Sequence, residues 1–395
     1  MILYEIPKNW IAYDRAAIVG ELAAAKAAVL SLTTIPYQRS WTEQLQVIQL
    51  KREVAGTSRI EGAEFTEKEL DAALKQTPEQ LHTRSQRQAA AAVSTYRWIA
   101  TLPNDRPIDA DLICEIHRRL VTGADDDHCA PGKLRGRDQN VNFGIPRHRG
   151  AEGGDECQKA FSELCRAARQ EAGDHDPLIQ ALTLHYHFAA MHPFEDGNGR
   201  TARALEALML QRTGLKDTLF IAMSNYYYEE KNAYLTALAT VRANGYDLTH
   251  FLKLGLRGIE SQCKRLLSEI RTQVQKALFR NMMFDLFNRL RTKRKRVIAD
   301  RHIEILKVLL EAERLTLEEL RSKVESIYRN LSNPHKAFIR DISYLIQLKA
   351  LGFKKLEDNR YEIFIRLEWP TEITETEFFQ RVKQMPKAKT HGFLS

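Results

Sequence analysis

Apolar residues recur at intervals of three and four positions over most of the chain, and strand-like alternation is scarce before residue 350. The clearest stretches are AIVGELAAAKAAVLSL, PLIQALTLHYHFAAM, TARALEALMLQ and HFLKLGLRGIESQCKRLLSEI. This spacing fits the 3.6-residue turn of an α-helix, so the sequence predicts a mainly α-helical protein. Residues 130–154 depart from the pattern: they are polar and rich in proline and glycine, which predicts a long loop with a short β-hairpin.

The pattern changes near Val297 to that of a small separate module. Residues 302–313 form an amphipathic repeat, and a second helix is predicted to begin at Thr316. Thr316 and Glu319 have the spacing of a capping box, which supports that start. A third helix follows, and we expect Gly352 to end it.

After the third helix, residues 353–365 alternate around the turn Asp358–Asn359, which predicts a β-hairpin. Three helices and a hairpin are the order of a winged helix-turn-helix. The recognition helix of such a module would span residues 334–348, and it would offer DNA a set of basic side chains: His335, Lys336, Arg340 and Lys349. The residues from Pro370 onward are polar, and we expect them to be loose.

Composition narrows the class of protein. A chain of 395 residues is expected to hold two or three domains. It shows neither an apolar run of membrane-spanning length nor a secretory signal, and its five cysteines form no CxxC pair. We therefore expect a cytoplasmic protein without a disulfide framework or a zinc site.

The charge is basic and uneven. A formal net charge of +8 permits nucleotide or nucleic-acid binding without proving it. Part of the excess lies in residues 289–296, RLRTKRKR, which form either a solvated linker or helix face or a nucleic-acid contact.

The strongest chemical signal is HPFEDGNGR, residues 192–200, which lies between two helical patterns. The helix that follows begins with Arg200 and Arg203, although a helix N-terminus already carries about half a positive charge. An anion bound in the loop would remove this mismatch, so we predict a phosphate-bearing ligand. Three backbone amides would complete the anion site, those of Gly197, Asn198 and Gly199.

Three further residues of this loop suit the same ligand. The carboxylate of Asp196 would repel phosphates unless a cation lay between them. Mg²⁺ commonly binds through a carboxylate and phosphate oxygens, so we predict that Asp196 binds magnesium. His192 can accept a proton from an attacking hydroxyl. Phe194 is expected to anchor the loop in the core. Taken alone, His192 is more simply interpreted as a helix cap or a core histidine. The combination of all these residues in one short loop argues against that interpretation.

Residues 192–203, HPFEDGNGRTAR, resemble the full HPFxDGNGRxxR signature of the Fic (Fido) family. The resemblance extends over about residues 1 to 260. It implies an all-α bundle with a β-hairpin flap, and transfer of AMP from ATP to a protein hydroxyl with Mg²⁺. It makes His192 the general base and Asp196 the magnesium ligand, with Arg200 and Arg203 on the triphosphate.

The same resemblance makes the loop from Lys133 to Gly150 a flap that aligns the target segment by strand addition. Tyr227 or Tyr228, together with Asn232, could line an adenine pocket. Ordinary packing and capping around a helix start explains these three residues equally well.

A second site is predicted at TSRIEG, residues 57–62. The upstream pattern favours a helix that ends near Gly62, which leaves Glu61 as an acid at the unfavourable end of a helix. The stretch resembles the family's inhibitory motif, with Thr57 and Glu61 at its defining positions. In that family the glutamate pairs with the second signature arginine, here Arg203, and blocks productive ATP binding.

These observations predict a mainly α protein made of a Fic-type helical bundle with a flap and a C-terminal winged helix-turn-helix. The predicted division is into five parts: 1–105 with the inhibitory helix, 106–258 catalytic, 259–297 a helical basic linker, 298–369 winged helix and 370–395 a polar tail. We expect an autoinhibited protein adenylyltransferase that also modifies itself. The alternatives are a nucleotide-responsive regulator of DNA or partner binding, a de-AMPylating enzyme and an enzyme with another nucleotide donor. A homodimer and DNA binding are possible partnerships.

Overall fold

The computed structural model of the protein describes residues 1–34, 39–64, 66–75, 81–170, 172–213, 221–290 and 293–384. It forms two compact units, Met1–Ser268 (unit 1) and Glu269–Ser395 (unit 2). Helices dominate both units, which confirms the mainly α-helical class. The five-part division stays a prediction.

Unit 1 is a helical bundle. Its described helices are α1 Arg15–Thr34, α2 Arg39–Ile60, α3 Glu67–Lys75, α4 Arg84–Ile99, α5 Ala110–Val121, α6 Asp155–Gln170, α7 Pro177–Met191, α8 Asn198–Gln211, α9 Met223–Glu229, α10 Lys231–Ala243 and α11 Thr249–Asn288, which ends in unit 2. By length and composition alone, α1 could cross a membrane. The core helix of a soluble protein can have the same length and composition. The expectation that the sequence has no apolar run of membrane-spanning length is therefore wrong for α1, whereas the absence of a membrane span stays a prediction.

Helix α7 is the centre of unit 1. Thirteen of its fifteen residues are buried, and helices α6, α8 and α10 pack against it. A helix buried on all sides is apolar all round, which accounts for the composition PLIQALTLHYHFAAM. The candidate site thus begins where the most buried helix of the unit ends.

A short β-hairpin lies within residues 130–154, as predicted. Strands β2, Asn142–Phe143, and β3, His148–Arg149, form the antiparallel hairpin. A strand that the sequence did not predict, β1 at Ile2–Leu3, pairs with β3 in parallel and gives the order β1-β3-β2. Two residues are too few to show an alternating pattern, which is why β1 was missed.

The boundary between α2 and α3 follows the sequence prediction. Gly62 comes two residues after the end of α2 and has a φ of +88°, a conformation that glycine adopts without strain. At the start of α3, the Glu69 carboxylate accepts a hydrogen bond from the Thr66 amide at 2.7 Å. The Thr66 hydroxyl oxygen in turn accepts one from the Glu69 amide at 3.3 Å, so the predicted capping box is present.

Unit 2 combines helices with a three-stranded antiparallel sheet. Its strands are β4 (Arg314–Thr316), β5 (Leu351–Lys355) and β6 (Tyr361–Ile365), and they lie in the order β4-β6-β5. Thr316 and Glu319 form the predicted capping box, and the predicted hairpin is present. The identification as a winged helix-turn-helix stays a prediction. The described elements of this unit after α11 are α12 Lys293–Ala312, β4 Arg314–Thr316, α13 Leu317–Lys323, α14 Glu325–Tyr328, α15 Pro334–Gln347, β5 Leu351–Lys355, β6 Tyr361–Ile365, α16 Trp369–Glu372 and α17 Glu375–Gln384.

The expected helix stop at Gly352 is wrong. Helix α15 already ends at Gln347, because Lys349 adopts a left-handed backbone with a φ of 61°. Gly352 instead lies in β5, where a Cβ would collide with the ring of Phe364. This glycine is needed for close packing within the sheet and not for ending a helix.

The expectation of a loose tail is also wrong as far as residue 384. Residues 369–384 form α16 and α17, and they bury Trp369 and Phe378 completely. The few apolar residues in this polar stretch are spaced so that they meet the core of unit 2. The rest of the predicted tail, 385–395, lies outside the described residues.

Within the stretch 259–297, residues 259–288 lie in α11 and residues 293–297 in α12, so these parts are helical as predicted, but the stretch is not merely a linker. Its helix α11 buries Phe279, Met283 and Phe287 in the core of unit 2. Within the basic run 289–296, the side chains from residue 291 onward lie outside the described part of the chain.

Candidate active site

His192 follows the last residue of α7 in a left-handed backbone conformation with a φ of 51°. Its Nδ1 lies 2.5 Å from the carbonyl oxygen of Ala189. Because a carbonyl can only accept, Nδ1 carries the proton and Nε2 is left as an acceptor. Burial lowers the pKa of His192 to about 4, although the hydrogen bond to Ala189 opposes this shift. The imidazole is therefore neutral at pH 7, as a general base must be.

Residues of the long loop hold His192 from one side. Arg135 Nε donates a hydrogen bond to the His192 carbonyl oxygen at 2.8 Å. The ring of Phe143, in β2, stacks on the imidazole with centroids 3.6 Å apart and planes inclined by 10°. The predicted flap is thus in direct contact with the predicted base.

Side-chain contacts hold the loop after His192 in its conformation. Phe194 is fully buried, as predicted, and its ring stacks on His117 at a centroid distance of 3.7 Å. The amide group of Asn198 accepts a hydrogen bond from Phe194 N at 2.9 Å and donates one to Phe194 O at 2.8 Å. His117 Nε2 lies 3.0 Å from the carbonyl oxygen of Asp196. The side chain of Asn198 therefore fixes the shape of the loop.

The predicted anion position lies at the start of α8. Gly197 precedes this helix with a φ of 73°, and no side chain caps the helix. A Cβ at Gly199 would collide with Oε1 of Glu61. The carboxylate of Glu61 therefore lies at the N-terminus of α8, where an anion was predicted.

Glu61 and Arg203 are in contact, as the resemblance implied. Arg203 Nη2 donates to Glu61 Oε1 at 2.6 Å, and Arg203 Nε donates to the Thr57 hydroxyl at 2.8 Å. The Thr57 carbonyl accepts a further hydrogen bond at 3.2 Å. Burial raises the pKa of Glu61, but the charges of Arg203 and Arg200 outweigh this and the pKa is lowered. Glu61 is therefore ionised at neutral pH.

A second carboxylate, Asp125, holds the other signature arginine. Arg200 and Asp125 form a buried ion pair, and Arg84 Nε of α4 donates to Asp125 at 2.7 Å. Asp196, whose side chain is 40% exposed, lies 3.4 Å from Arg84 and 3.5 Å from Arg200. Burial opposes ionisation of Asp125, but the charge of Arg200 and the hydrogen bonds from Arg200, Arg84 and Gln88 together outweigh burial and lower the pKa of this carboxyl.

Sequence reasoning missed Asp125 and Arg84. Asp125 lies in the run ADDDHC, whose pattern does not distinguish it from its neighbours. A signal existed for Arg84, the first residue of α4, because an arginine at a helix start is the same mismatch that pointed to Arg200.

The predicted adenine pocket is only partly compatible with the structure. Tyr227 is completely buried, and its hydroxyl donates to Glu206 at 3.0 Å, so the packing interpretation holds for this residue. Tyr228 is 39% exposed, and the Arg59 guanidinium lies 5.8 Å from its ring centroid. Asn232 is also exposed. Of the two tyrosines, Tyr228 is the one with surface for a ligand.

Comparison with known proteins matches residues 107–210 to the Fic/DOC family. The protein adenylyltransferase fic-1 of Caenorhabditis briggsae is 28% identical over 166 residues, 42% of this chain and 30% of the relative. The protein adenylyltransferase Fic of Nematostella vectensis is 30% identical over 157 residues, 39% of this chain and 33% of the relative. The matches thus span about a third of the length of these curated relatives.

Solved structures show the same fold. A Fic family protein from Desulfovibrio desulfuricans G20 has a TM-score of 0.55 at 17% identity, over 92% of this chain and 98% of that one. A fragment of Fic-1 from C. elegans has a TM-score of 0.54 at 20% identity, over 65% of this chain and 74% of that one.

Proposed function

We propose, on the premise that residues 107–210 form a Fic/DOC family domain, that this protein transfers AMP from ATP to a hydroxyl side chain of a protein. The curated relatives are named protein adenylyltransferases. The observation that carries the proposal is the neutral His192, with Nε2 available, in the loop that leads to an anion position at the start of α8.

In the proposed reaction the target hydroxyl oxygen attacks the α-phosphorus of ATP. Nε2 of His192 takes the hydroxyl proton, the bond from the α-phosphorus to the bridging oxygen breaks, and pyrophosphate leaves. Arg200 and Arg203 offset the negative charge of the phosphates, together with the amides at the start of α8. Most of the rate enhancement would come from positioning and charge stabilisation.

Asp196 is the residue that would hold Mg²⁺. Its carboxylate is 40% exposed and already lies among cationic groups. Within the described residues no group of three or more His, Cys, Asp or Glu forms a metal cluster. A single carboxylate fits magnesium, which completes its shell with phosphate oxygens and water. When bound, the ion would offset phosphate charge.

The flap would present the target. In the order β1-β3-β2, strand β2 lies at one end of the sheet, and its Phe143 touches His192. An extended segment that pairs with β2 would place a Ser, Thr or Tyr hydroxyl close to the imidazole.

Glu61 would act as a brake. It occupies the anion position and one Nη of Arg203, so the terminal phosphate of ATP and this carboxylate compete for the same donors. Lys231 Nζ donates to the Ile60 carbonyl at 3.0 Å and holds the end of α2 in place. Productive ATP binding would require α2 or the Glu61 side chain to move.

The first test replaces Glu61 with glycine. We expect Glu61→Gly to raise incorporation of label from ATP labelled in the α-phosphate, both into the protein itself and into targets in a lysate. An ion pair of about 1.5–3 kcal/mol that competes with the ligand corresponds to about a 10- to 100-fold increase. The measurement is autoradiography after incubation with Mg²⁺.

The matched control is Glu64→Gly, which removes an exposed acid three residues away and is expected to leave incorporation unchanged. Adding His192→Ala to Glu61→Gly is expected to abolish labelling. Equal incorporation by wild type and Glu61→Gly would contradict the brake, and equal labelling with and without His192 would contradict the general base.

The same assay distinguishes transfer of AMP to the target from removal of AMP from it. After labelling by the Glu61→Gly protein, the modified target is purified and mixed with wild type. Release of AMP by the wild type would favour de-AMPylation through Glu61. A stable label supports the adenylyltransferase.

A further inference from the structure

Arg84 stands at a position that its helix does not favour. It is the first residue of α4, where a cation opposes the helix dipole by about 0.3–1 kcal/mol. The amides of this helix start are already served by a capping box between Thr83 and Gln86. Helix formation therefore gives no reason for an arginine here.

The side chain of Arg84 points to the predicted phosphate site. Its guanidinium contacts Asp125 at 2.5 Å and reaches Asp196 at 3.4 Å, and the side chain is 44% exposed. Asp125, which is fully buried, binds Arg84 and Arg200 together. One buried carboxylate thus holds two guanidinium groups beside the predicted phosphates.

The charges at this site balance in the described structure. Three arginines, Arg84, Arg200 and Arg203, face three carboxylates, those of Asp125, Asp196 and Glu61. The carboxylate of Asp125 is buried, whereas those of Asp196 and Glu61 are 40% and 41% exposed. The two exposed carboxylates are therefore the ones that a ligand can displace or recruit.

We propose that Arg84 is a third phosphate-binding arginine of this site, positioned by Asp125. When Glu61 withdraws, the six groups carry a net charge of +1, which favours a polyphosphate. When Asp196 turns to a cation, Arg84 loses its weaker partner and keeps Asp125. Its exposed donors are then free for phosphate oxygens, which guanidinium groups bind with good geometry.

This inference rests on the proposed function for its nucleotide, so the test uses two probes. Binding of ATP and of inorganic tripolyphosphate to the Glu61→Gly protein is measured by calorimetry, with and without Mg²⁺. Adding Arg84→Gln is expected to weaken binding of both probes by about 10- to 100-fold, the usual cost of a charge-assisted hydrogen bond. Glutamine keeps a hydrogen bond to Asp125 but carries no charge.

The matched control is Arg87→Gln, one turn further along α4, where the guanidinium donates to the His82 carbonyl. We expect it to leave both affinities within about twofold. Thermal melting of the ligand-free variants shows whether each is folded. Should Arg84→Gln melt early, Arg84→Lys, which keeps the charge, is expected to bind more tightly than Arg84→Gln at equal melting temperature.

The outcomes separate the two hypotheses. If the Glu61→Gly protein binds both probes and Arg84→Gln changes neither affinity, Arg84 is not a phosphate ligand and the proposed function stands. If tripolyphosphate binds through Arg84 but ATP does not bind, the phosphate site stands and the adenylyltransferase does not. If neither probe binds, both hypotheses are wrong.

Discussion

At the scale of single residues, the protonation state of His192 has a measurable consequence. Burial lowers its pKa to about 4, so the imidazole stays neutral and able to accept a proton until the pH falls towards that value. In the Glu61→Gly background we expect the rate of self-modification to be flat between pH 8 and pH 6. It should fall only below about pH 5.

The measurement is the initial rate of label incorporation over this pH range, with the His192→Ala protein as the baseline at each pH. If the rate instead fell with a midpoint near pH 6.5, the ordinary pKa of histidine, burial would not be suppressing protonation of His192 and the prediction would be wrong. Glu61 itself raises the pKa of His192 slightly through its charge, so its removal does not shift the midpoint upward.

The residues of the site differ in how far the sequence could predict them. His192, Asp196, Arg200 and Arg203 lie within one short stretch, and the charges of the two arginines conflict with a helix start unless an anion binds. Asp125 has no such local signal, because its role depends on the ion pair with Arg200, which lies 75 residues away in the sequence. Long-range ion pairs of this kind require the fold.

At the scale of elements, the joint between α7 and α8 depends on one aromatic ring. Phe194 is fully buried and stacks on His117 of α5. We expect Phe194→Ala to lower the free energy of unfolding by about 3–5 kcal/mol, since it leaves a cavity at this joint. Chemical denaturation followed by circular dichroism measures the change.

Phe353→Ala is the matched control, because Phe353 is 40% exposed and its removal is expected to cost much less. Equal losses for the two variants would contradict the anchoring role of Phe194.

Element boundaries were predictable where a local hydrogen bond or backbone conformation sets them. The capping boxes at Thr66 and Thr316 and the helix end near Gly62 are of this kind. The end of α15 was not, because a lysine, Lys349, takes the left-handed conformation for which Gly352 was the expected residue. Helix α17 was missed since its apolar side chains become informative only against the core of unit 2.

At the scale of the whole molecule, DNA binding by unit 2 stays a prediction. The four side chains predicted to face DNA are exposed, and the opposite face of α15 is buried. We expect the full chain to shift random duplex DNA in a gel at low salt, with an affinity that falls steeply as salt rises. Lys336→Glu should abolish the shift, whereas Lys264→Glu, an exposed lysine of unit 1, should not.

Absence of a shift even at low salt would exclude DNA as the partner and leave protein contacts for this unit. A shift that Lys264→Glu reduces as strongly as Lys336→Glu does would contradict the recognition helix as the binding element.

Glu61 and Arg203 are in contact within one chain. This determines how inhibition by Glu61, as proposed above, would depend on protein concentration. An inhibitor that is a separate molecule is lost on dilution, whereas a tethered carboxylate faces its arginine at the same effective concentration at any protein level. The fraction of uninhibited molecules would then be determined by an equilibrium constant of the single chain, whatever the protein concentration. Under the proposed function, ATP would shift this equilibrium by competition, and a partner would do so by binding one position of α2 more tightly than the other.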